Sequence, residues 1–295
     1  MTVRVPAKVN VQLAVGGARP DGFHDLANVF LAVGLYDEVT VAEADTFALT
    51  CTGPGSDQVP LDRTNLAARA AYALAARHGL GEPAVHIHIA KDIPVAGGMA
   101  GGSADAAGAL LACDALWGTN APRSELLDIC AELGSDVPFS LVGGAALGTG
   151  RGEKLELLDV GGEFWWVFAA ADGGLSTPAV YGEFDRLSPD APAEPVAAPA
   201  LLEALRTGDV EALAATVSND LQPAALSLFP SLKDTLEAGR SAGALAALVS
   251  GSGPTTAFLA ADESSAKRVA AALSESGLCH TARAAPAPAP GATLL

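Results

Sequence analysis

The sequence predicts a mixed fold of strands and helices that is divided into two domains. The length of 295 residues exceeds the usual size of one domain, and apolar residues make up 50% of the chain, enough for two buried cores. Strand and helix patterns alternate in the first half, and a new unit begins at the strand pattern Phe164–Phe168. We therefore place a domain boundary near residue 155, so that residues 1–155 and 156–295 border a cleft.

The first half of the chain alternates apolar, β-branched runs with alanine-rich runs. The former predict strands at Val29–Val33, Glu38–Ala42 and Ala84–Ala90. The latter predict helices at Asn65–His78 and Ser103–Trp117, and a further helix is expected at Ser124–Leu133, with Ser124 as its N-cap. This alternation assigns the first half to a mixed fold.

The second half of the chain has shorter elements and more proline. We expect a surface loop at Ser188–Pro199, helices at Leu201–Arg206, Val210–Thr216 and Glu263–Ser276, and strands at Leu245–Val249 and Thr255–Ala260. The segment from Ala284 to Pro290 alternates alanine with proline, which is typical of extended chain. It is therefore predicted to be a mobile tail from about residue 284.

Charge and cysteine usage exclude several classes of protein. A formal net charge of −17 argues against a nucleic-acid or anionic-membrane surface, because such surfaces need clustered lysine and arginine. No leader pattern and no run of about 18 apolar residues occurs, so we expect neither export nor membrane spanning. The four cysteines are far apart and form no Cys-x-x-Cys motif, which predicts reduced thiols in a cytoplasmic protein: Cys51, Cys113, Cys130 and Cys279.

The most informative segment is the loop Pro94–Ser103, which runs straight into the alanine-rich helix. Its four glycines open the main-chain N–H groups to a ligand, and the helix adds the positive end of its dipole. These features predict a phosphate cradle. Ser103 stands where a Walker A loop has lysine, and no register gives a Gly-x-Gly-x-x-Gly motif. The alternative is a tight turn before a buried helix.

A lysine inside the first strand pattern is a second candidate functional residue. Residues 3–13 alternate apolar and polar side chains, which puts Lys8 and Asn10 on one face. A lysine in an apolar strand needs an anionic partner, so Lys8 indicates a nearby carboxylate or phosphate. The alternative is an edge-strand charge that discourages aggregation.

The segment Gly134–Phe139 presents a carboxylate in a constrained turn. Pro138 is expected to hold Val137 in extended geometry, so that Asp136 is positioned rather than mobile. A catalytic group needs such positioning. The alternative is that Asp136 only caps the next element through its side chain.

Five segments in chain order resemble the GHMP kinases, in particular members with a cytidyl substrate: Pro6–Asn10, Arg19–Leu26, Pro94–Ala107, Gly134–Phe139 and Ser250–Thr255. The resemblance implies an α+β fold with an amino-terminal domain like the second domain of ribosomal protein S5. It also implies a ferredoxin-like carboxyl-terminal domain, with the active site between the two. The implied reaction is transfer of the γ-phosphoryl group of ATP to the 2-hydroxyl of 4-diphosphocytidyl-2-C-methyl-D-erythritol, in the non-mevalonate route to isoprenoid precursors.

The resemblance also implies the roles of individual residues. Lys8 and Asp136 match the catalytic pair, and Asn10 would bond the polyol or phosphate part of the substrate. Phe23 and His24 would stack on cytosine and bond its polar edge, and Tyr181 would cover the other face unless it is an ordinary half-buried tyrosine. The expected ATP-binding residues are Lys91, Pro94, Val95, Ala96, Gly97, Gly98, Met99, Ala100, Gly101, Gly102 and Ser103.

The chemistry of the implied reaction also predicts magnesium, because a divalent metal bridges phosphate oxygens in most such transfers. ATP and Mg²⁺ are expected with the small-molecule acceptor, in a monomer or homodimer, with no metal ligand assigned. Two positions depart from the family pattern. Phe23 stands where the family often has tyrosine, and Ala100 stands where it commonly has glycine, which predicts ordinary backbone angles there.

Three other functions remain open at the level of sequence. A GHMP kinase that acts on homoserine or mevalonate would share the phosphate loop but would not need the segment Asp21–His24. A nucleotide-dependent oxidoreductase is disfavoured by the missing dinucleotide motif. A binding module without enzymatic activity would bind ATP and leave the acceptor unchanged.

Overall fold

Two β-sheets with helices packed on them make up the computed structural model, which describes residues 1–95 and 97–295. The predicted ATP-binding residue Ala96 lies outside the described residues. The first described elements are β1 (Thr2–Ala18), β2 (His24–Glu43), β3 (Ala48–Thr52), α1 (Leu66–Arg77), β4 (Val85–Ala90), α2 (Gly101–Trp117), α3 (Arg123–Leu133), α4 (Val137–Val142), β5 (Ala145–Thr149) and β6 (Lys154–Leu158). They are followed by β7 (Phe164–Ala170), α5 (Thr177–Leu187), α6 (Pro199–Thr207), α7 (Val210–Ala214), β8 (Ser218–Asn219), α8 (Gln222–Leu228), α9 (Leu232–Ser241), β9 (Ala246–Val249), β10 (Thr256–Ala260), α10 (Glu263–Ser276), β11 (Thr281–Ala287) and β12 (Thr293–Leu294).

The first sheet has eight strands within the described residues. Its main order is β12-β1-β2-β4-β3, while β5 pairs with β2 and carries β6, and β8 pairs in parallel with β1. Strands β1 and β2 are antiparallel partners over nearly their whole length, with irregularities after Pro6, Asn10 and Val15. This long hairpin is the frame on which the cleft residues of β1 are placed.

Alternation along β1 separates a core face from a polar face, as its sequence predicts. Val5, Val9 and Val11 are fully buried in the main apolar core. Helix α2 approaches this face so closely that a Cβ on Gly108 would lie 2.9 Å from a methyl of Val5. Since real side chains do not approach that closely, Gly108 is what allows α2 to pack directly on the sheet. Lys8 is left on the other face.

The two strand predictions for residues 29–42 are joined in the structure. β2 runs without a break from His24 to Glu43, because its backbone pairs in turn with β1, β5 and β4. Gly34, between the two predicted strands, continues the strand and faces Pro286, whose Cδ would lie 3.0 Å from an added Cβ. The residues between the two predicted strands are therefore part of β2, and they pack against the carboxyl-terminal part of the chain.

The second sheet has the ferredoxin-like arrangement that the resemblance implies. Its order within the described residues is β11-β7-β10-β9, with every neighbouring pair antiparallel. In chain order these are the fourth, first, third and second strands, with helices between β7 and β9 and α10 between β10 and β11. This β-α-β-β-α-β order confirms the prediction.

The carboxyl-terminal segment is not the mobile tail that its alternating alanines and prolines predict. Strand β11 pairs with β7 from Thr281 to Ala287, and Ala285 is fully buried. β12 then pairs with β1, so the chain end returns to the first sheet. Proline is accepted in β11 because this strand lies at the edge of its sheet, where a missing N–H costs no ladder bond. The prediction of extended chain is right, and the prediction of a mobile tail is wrong.

Three local predictions also need correction. Helix α2 begins at Gly101, two residues before the predicted start, and α3 begins at Arg123 with Pro122, not Ser124, as its N-cap. The ring of Pro122 holds φ at −60°, which suits entry into a helix. Val137 is helical rather than extended, because Pro138 lies in the first turn of α4, where no helical N–H bond is lost.

The apolar core does not divide at the predicted domain boundary. Val9 and Ile89 of the first sheet and Phe164 and Trp166 of the second belong to one buried cluster. The boundary near residue 155 therefore stays a prediction, although the second sheet does begin shortly after it. Among the described residues, no helix combines the length and the apolar character needed to cross a membrane.

Burial of β11 leads to a test of the corrected tail. We expect Ala285→Asp to lower the free energy of unfolding by about 3 kcal/mol or more, because it places a carboxylate in an apolar core. The matched control is Ala271→Asp on the exposed face of α10, which should change it by less than about 0.5 kcal/mol. Urea denaturation measures both, and equal effects would contradict the buried strand.

Candidate active site

A cleft of about 750 Å³ is lined by residues from both halves of the chain. This volume is typical of a small-molecule site. Most of the sequence-predicted site residues line it: Lys8, Asn10, Phe23, His24, Gly97, Gly98, Ala100, Gly101, Gly102, Ser103, Asp136 and Tyr181. Lys91 and Val95 line a second cavity of about 250 Å³, and Gly102 lines both. Pro94 and Met99 line neither, and the Met99 side chain is buried in the core.

Lys8 lies on the polar face of β1 and is 4% exposed. Its Nζ donates to Asn10 Oδ1 at 2.5 Å and to the Gly98 carbonyl at 2.9 Å. Burial lowers the pKa of Lys8 from its ordinary value, and the nearby Asp136 carboxylate opposes that shift. The alternative of an edge-strand charge is wrong, because β1 has partners on both sides and the ammonium is enclosed.

Asp136 is the carboxylate that the first-strand lysine requires. Its Oδ2 lies 3.9 Å from Lys8 Nζ, and its side chain is 34% exposed. It precedes α4, yet its side chain makes no capping hydrogen bond to that helix. The alternative of a purely capping aspartate is therefore wrong. The 3.9 Å separation is too long for a direct hydrogen bond, so the carboxylate stays open to a ligand in the cleft.

Two asparagines continue the polar face from Lys8. Asn10 Nδ2 donates to Asn28 Oδ1 at 2.7 Å, and both side chains are buried. Sequence reasoning missed Asn28, although an amide inside the apolar run Leu26–Leu31 is a signal that could have found it. Asn28 fixes the orientation of the Asn10 amide, so that its oxygen faces the lysine.

The glycine-rich loop enters α2 through a left-handed residue. Ala100 has φ 61° and ψ 30°, and the helix begins at the next residue. The expectation of ordinary backbone angles at Ala100 is wrong, because the turn into α2 imposes this conformation. A non-glycine residue there is strained by roughly 1 kcal/mol. Gly101, Gly102 and Ser103 form the first helical turn, where main-chain N–H groups have no helical partners.

The loop is packed against a second glycine-rich segment, residues 250–253, which joins β9 to β10. Gly98 has φ 71°, and a Cβ there would lie 2.2 Å from the Ser250 carbonyl oxygen. Ser250 Oγ donates to the Gly98 carbonyl at 3.1 Å. Glycine is therefore required at position 98 by both its conformation and the close approach. Sequence order alone does not reveal this contact.

Lys91 is held by two buried carboxylates beside the second cavity. Its Nζ pairs with Asp37 and lies 2.8 Å from Asp105 Oδ2. Burial opposes the charge of Lys91, but the carboxylates of Asp105 and Asp37 outweigh it and raise the pKa of Lys91. Lys91 is therefore a structural cation beside the second cavity, because both of its contacts with carboxylates lie within the protein.

Asp37 and Asp105, the two carboxylates that hold Lys91, were missed by sequence reasoning. Asp37 Oδ1 accepts from the main-chain N–H groups of Asp92 and Ile93 at 2.6 and 2.9 Å. Asp105 is 3% exposed, and burial raises its pKa to about 7. Its Oδ1 has no hydrogen-bond partner among the described residues. An acidic residue inside an alanine-rich helix is the signal that could have found Asp105.

An aromatic cluster forms another part of the cleft wall. His24 Nε2 lies 2.8 Å from Asp185 Oδ1, and the ring centroids of His24 and Tyr181 are 4.8 Å apart. Burial, with a smaller contribution from Asp136, raises the pKa of Tyr181. The structure thus brings together His24 and Tyr181, which are 157 positions apart in the chain, and adds Asp185, which sequence reasoning missed.

Phe23 lies beside this cluster and is 49% exposed. The guanidinium carbon of Arg151 lies 4.9 Å from the centroid of its ring, a cation–π arrangement. Arg151 also lines the cleft and was missed by sequence reasoning. An exposed aromatic ring with an arginine over it offers stacking and positive charge at one place.

Fold, loop and cleft together define a small-molecule kinase, and two family profiles agree. "GHMP kinases N terminal domain" matches residues 65–144, and "GHMP kinases C terminal" matches residues 201–278. The chain belongs to the GHMP kinases. The predicted α+β fold class is confirmed.

The chain is also similar to individual proteins and solved structures. A protein of Streptomyces avermitilis named 4-diphosphocytidyl-2-C-methyl-D-erythritol kinase is 80% identical over 296 residues, which cover 100% of this chain and 99% of that protein. A crystal structure of 4-(cytidine 5'-diphospho)-2C-methyl-D-erythritol kinase has a TM-score of 0.80 at 33% identity, covering 98% of this chain and 100% of that one. A homoserine kinase from Cytophaga hutchinsonii, 18% identical with a TM-score of 0.71 and coverage of 100% and 97%, shares the fold.

The left-handed conformation of Ala100 gives a testable effect on stability. We expect Ala100→Gly to raise the free energy of unfolding by about 1 kcal/mol, because glycine adopts positive φ without strain. The same change on an exposed helix position, Ala271→Gly in α10, should lower it by about 1 kcal/mol. Chemical denaturation measures both, and a loss of stability in Ala100→Gly would contradict the left-handed entry into α2.

Proposed function

We propose that this chain transfers the γ-phosphoryl group of ATP to the 2-hydroxyl of 4-diphosphocytidyl-2-C-methyl-D-erythritol, giving the 2-phosphate and ADP in the non-mevalonate route. The observation that carries the proposal is the buried Lys8 ammonium facing the open Asp136 carboxylate across the cleft of the glycine-rich loop. The 80% identity to a kinase of this name over the whole chain supports the choice of acceptor.

The loop and the start of α2 would hold the phosphates of ATP. Main-chain N–H groups from residues 97–103 and the Ser103 hydroxyl are the donors, and the helix dipole favours the anion. The second cavity would take the nucleoside. Lys91 acts here indirectly, by holding Asp37 and Asp105 in place.

Phosphoryl transfer would take place between Lys8 and Asp136. Asp136 accepts a hydrogen bond from the acceptor hydroxyl and orients it toward the γ-phosphate, while Lys8 offsets the negative charge that develops. The Lys8 ammonium lies 3.9 Å from the carboxylate, too far for a direct hydrogen bond, so the carboxylate oxygen is open to the acceptor hydroxyl. We therefore infer that Asp136 mainly orients the hydroxyl and takes its proton late in the transfer. Asn10 would bond the polyol near this point.

Magnesium fits the oxygen donors that this part of the cleft offers. The Ser103 hydroxyl and the Asp136 carboxylate are hard ligands, and Mg²⁺ is usually bound by one or two such groups together with water and substrate phosphates. When bound, the ion would neutralise phosphate charge. Ser103 is the side chain that we expect to hold it, because it lies at the start of the phosphate-binding helix.

Recognition of the cytidyl group would come from the aromatic part of the cleft. Phe23 and Tyr181 offer faces for the base, and His24, held by Asp185, offers a polar atom for its edge. Arg151, over the Phe23 ring, would add positive charge for the diphosphate. A homoserine or mevalonate kinase has no use for such a base site, and so these residues favour the cytidyl acceptor.

We infer a cytoplasmic enzyme that acts as a monomer or homodimer. The four cysteines are free, which suits a reducing compartment. The two groups proposed for phosphoryl transfer, Lys8 and Asp136, line the same cleft of one chain.

The proposed acceptor is tested by ADP release from purified protein with ATP and magnesium. Turnover should require 4-diphosphocytidyl-2-C-methyl-D-erythritol and be absent with mevalonate, homoserine or no acceptor. Turnover with another acceptor would keep the kinase and remove the cytidyl assignment. ATP binding without turnover of any acceptor would favour a binding module, and binding of a reduced nicotinamide cofactor would favour an oxidoreductase.

The catalytic pair is tested by two substitutions. We expect Lys8→Ala and Asp136→Asn each to lower kcat by about 10³-fold with little change in KM, because each removes a group that acts mainly in the transition state. Matched controls are Lys233→Ala and Asp128→Asn, at exposed helix positions, which should turn over normally. Near-normal kcat in either site variant would refute its assignment.

A further inference from the structure

Asn219 in β8 is a buried amide outside the proposed catalytic groups, and all of its described hydrogen bonds go to the main chain. Its Nδ2 donates to the carbonyls of Val249 and Gly251 at 2.8 and 2.7 Å. Its Oδ1 accepts from Leu221 N–H at 2.9 Å. The residue is 8% exposed. One side chain therefore holds the start of the segment 250–253 and the start of α8 together.

The segment held by Asn219 reaches the ammonium of Lys8 through one carbonyl group. Ser250 Oγ and Lys8 Nζ both donate to the Gly98 carbonyl, at 3.1 and 2.9 Å. A Cβ on Gly251 would lie 3.3 Å from Lys8 Nζ, so this segment also forms a wall beside the ammonium. Gly251 is one of the two residues whose carbonyls Asn219 binds.

Strand pairing ties Asn219 to the strand that carries Lys8. β8 runs parallel to β1, with Asn219 in register with Leu13. The ammonium therefore has one acceptor on its own strand, Asn10, and one on the glycine-rich loop, Gly98. The Gly98 carbonyl reaches Lys8 through a contact between distant parts of the chain, and segment 250–253 packs against that carbonyl. Asn219 fixes segment 250–253 relative to β1.

We propose that Asn219 is a positioning residue for phosphoryl transfer, which holds segment 250–253 against Gly98 and so sets the place of the Lys8 ammonium. The proposal rests on the proposed function. A lysine has four flexible side-chain bonds, and displacement of a catalytic group by about 1 Å can cost about 10²-fold in rate. Asn219 affects kcat through the position of the Lys8 ammonium, and the residues that contact ATP and the acceptor are unchanged.

The first test is Asn219→Asp, which keeps the shape of the side chain but removes its two N–H donors. The new carboxylate would then face the carbonyl oxygens of Val249 and Gly251. We expect kcat to fall roughly 10²-fold while KM for ATP and for the acceptor changes less than about threefold. The matched control is Gln12→Glu, a buried amide of β1 that bridges Val196 and Ala198. It should lose stability similarly and keep kcat within about twofold, since its partners lie outside the cleft lining.

A double-mutant cycle keeps the proposal testable if Asn219→Asp does not fold. Ser250→Ala removes the hydroxyl bond to Gly98, and it is combined with Asn219→Ala. If both act through the Gly98 carbonyl, their effects on kcat are non-additive and the double variant resembles the more severe single one. Additive effects, or stability loss with unchanged kcat, would overturn the proposal. Failure of the wild-type protein to use the cytidyl acceptor would instead count against the proposed function, and the cycle would then use whichever acceptor is turned over.

Discussion

The structure depends on the enclosure of one ammonium group, that of Lys8, where two glycine-rich segments meet. An ammonium donates three hydrogen bonds and accepts none, so burial is tolerated only with oxygen acceptors around it. Asn10 supplies one from the same strand, and the Gly98 carbonyl supplies another from the loop. The loop can come that close because residues 97 and 98 have no side chains, and segment 250–253 holds it there.

The chain contains a second buried lysine, Lys91, whose surroundings differ from those of Lys8. Lys91 has two carboxylates in contact, which raise its pKa and keep its ammonium paired. Lys8 has mainly neutral acceptors and one carboxylate at 3.9 Å, so burial lowers its pKa. The first arrangement neutralises its charge within the protein. The second leaves Lys8 with a single carboxylate 3.9 Å away, so that under the proposed function its ammonium can also offset the negative charge of a phosphate group.

Most of the helices and strands, and the candidate residues Lys8 and Asp136, could be predicted from the amino-acid sequence. Helix α10 lies where its pattern predicts, and the second sheet begins at the predicted strand Phe164–Phe168. Lys8 could be recognised because a lysine inside an apolar strand needs an anionic partner. Asp136 could be recognised because the resemblance pairs it with Lys8. These features depend on local pattern or on order along the chain, which one sequence contains in full.

Other features arise only in the folded chain, where residues distant in sequence come into contact. Alternating alanine and proline in residues 284–290 look like an unpaired tail until β7 offers a partner strand. Ala100 takes a left-handed conformation because the loop must turn into α2 where it packs on the sheet. Asn219 looks like an ordinary loop amide until the carbonyls of residues 249 and 251 lie against it. Backbone partners and close approaches have no signature in sequence order, because long-range contacts create them.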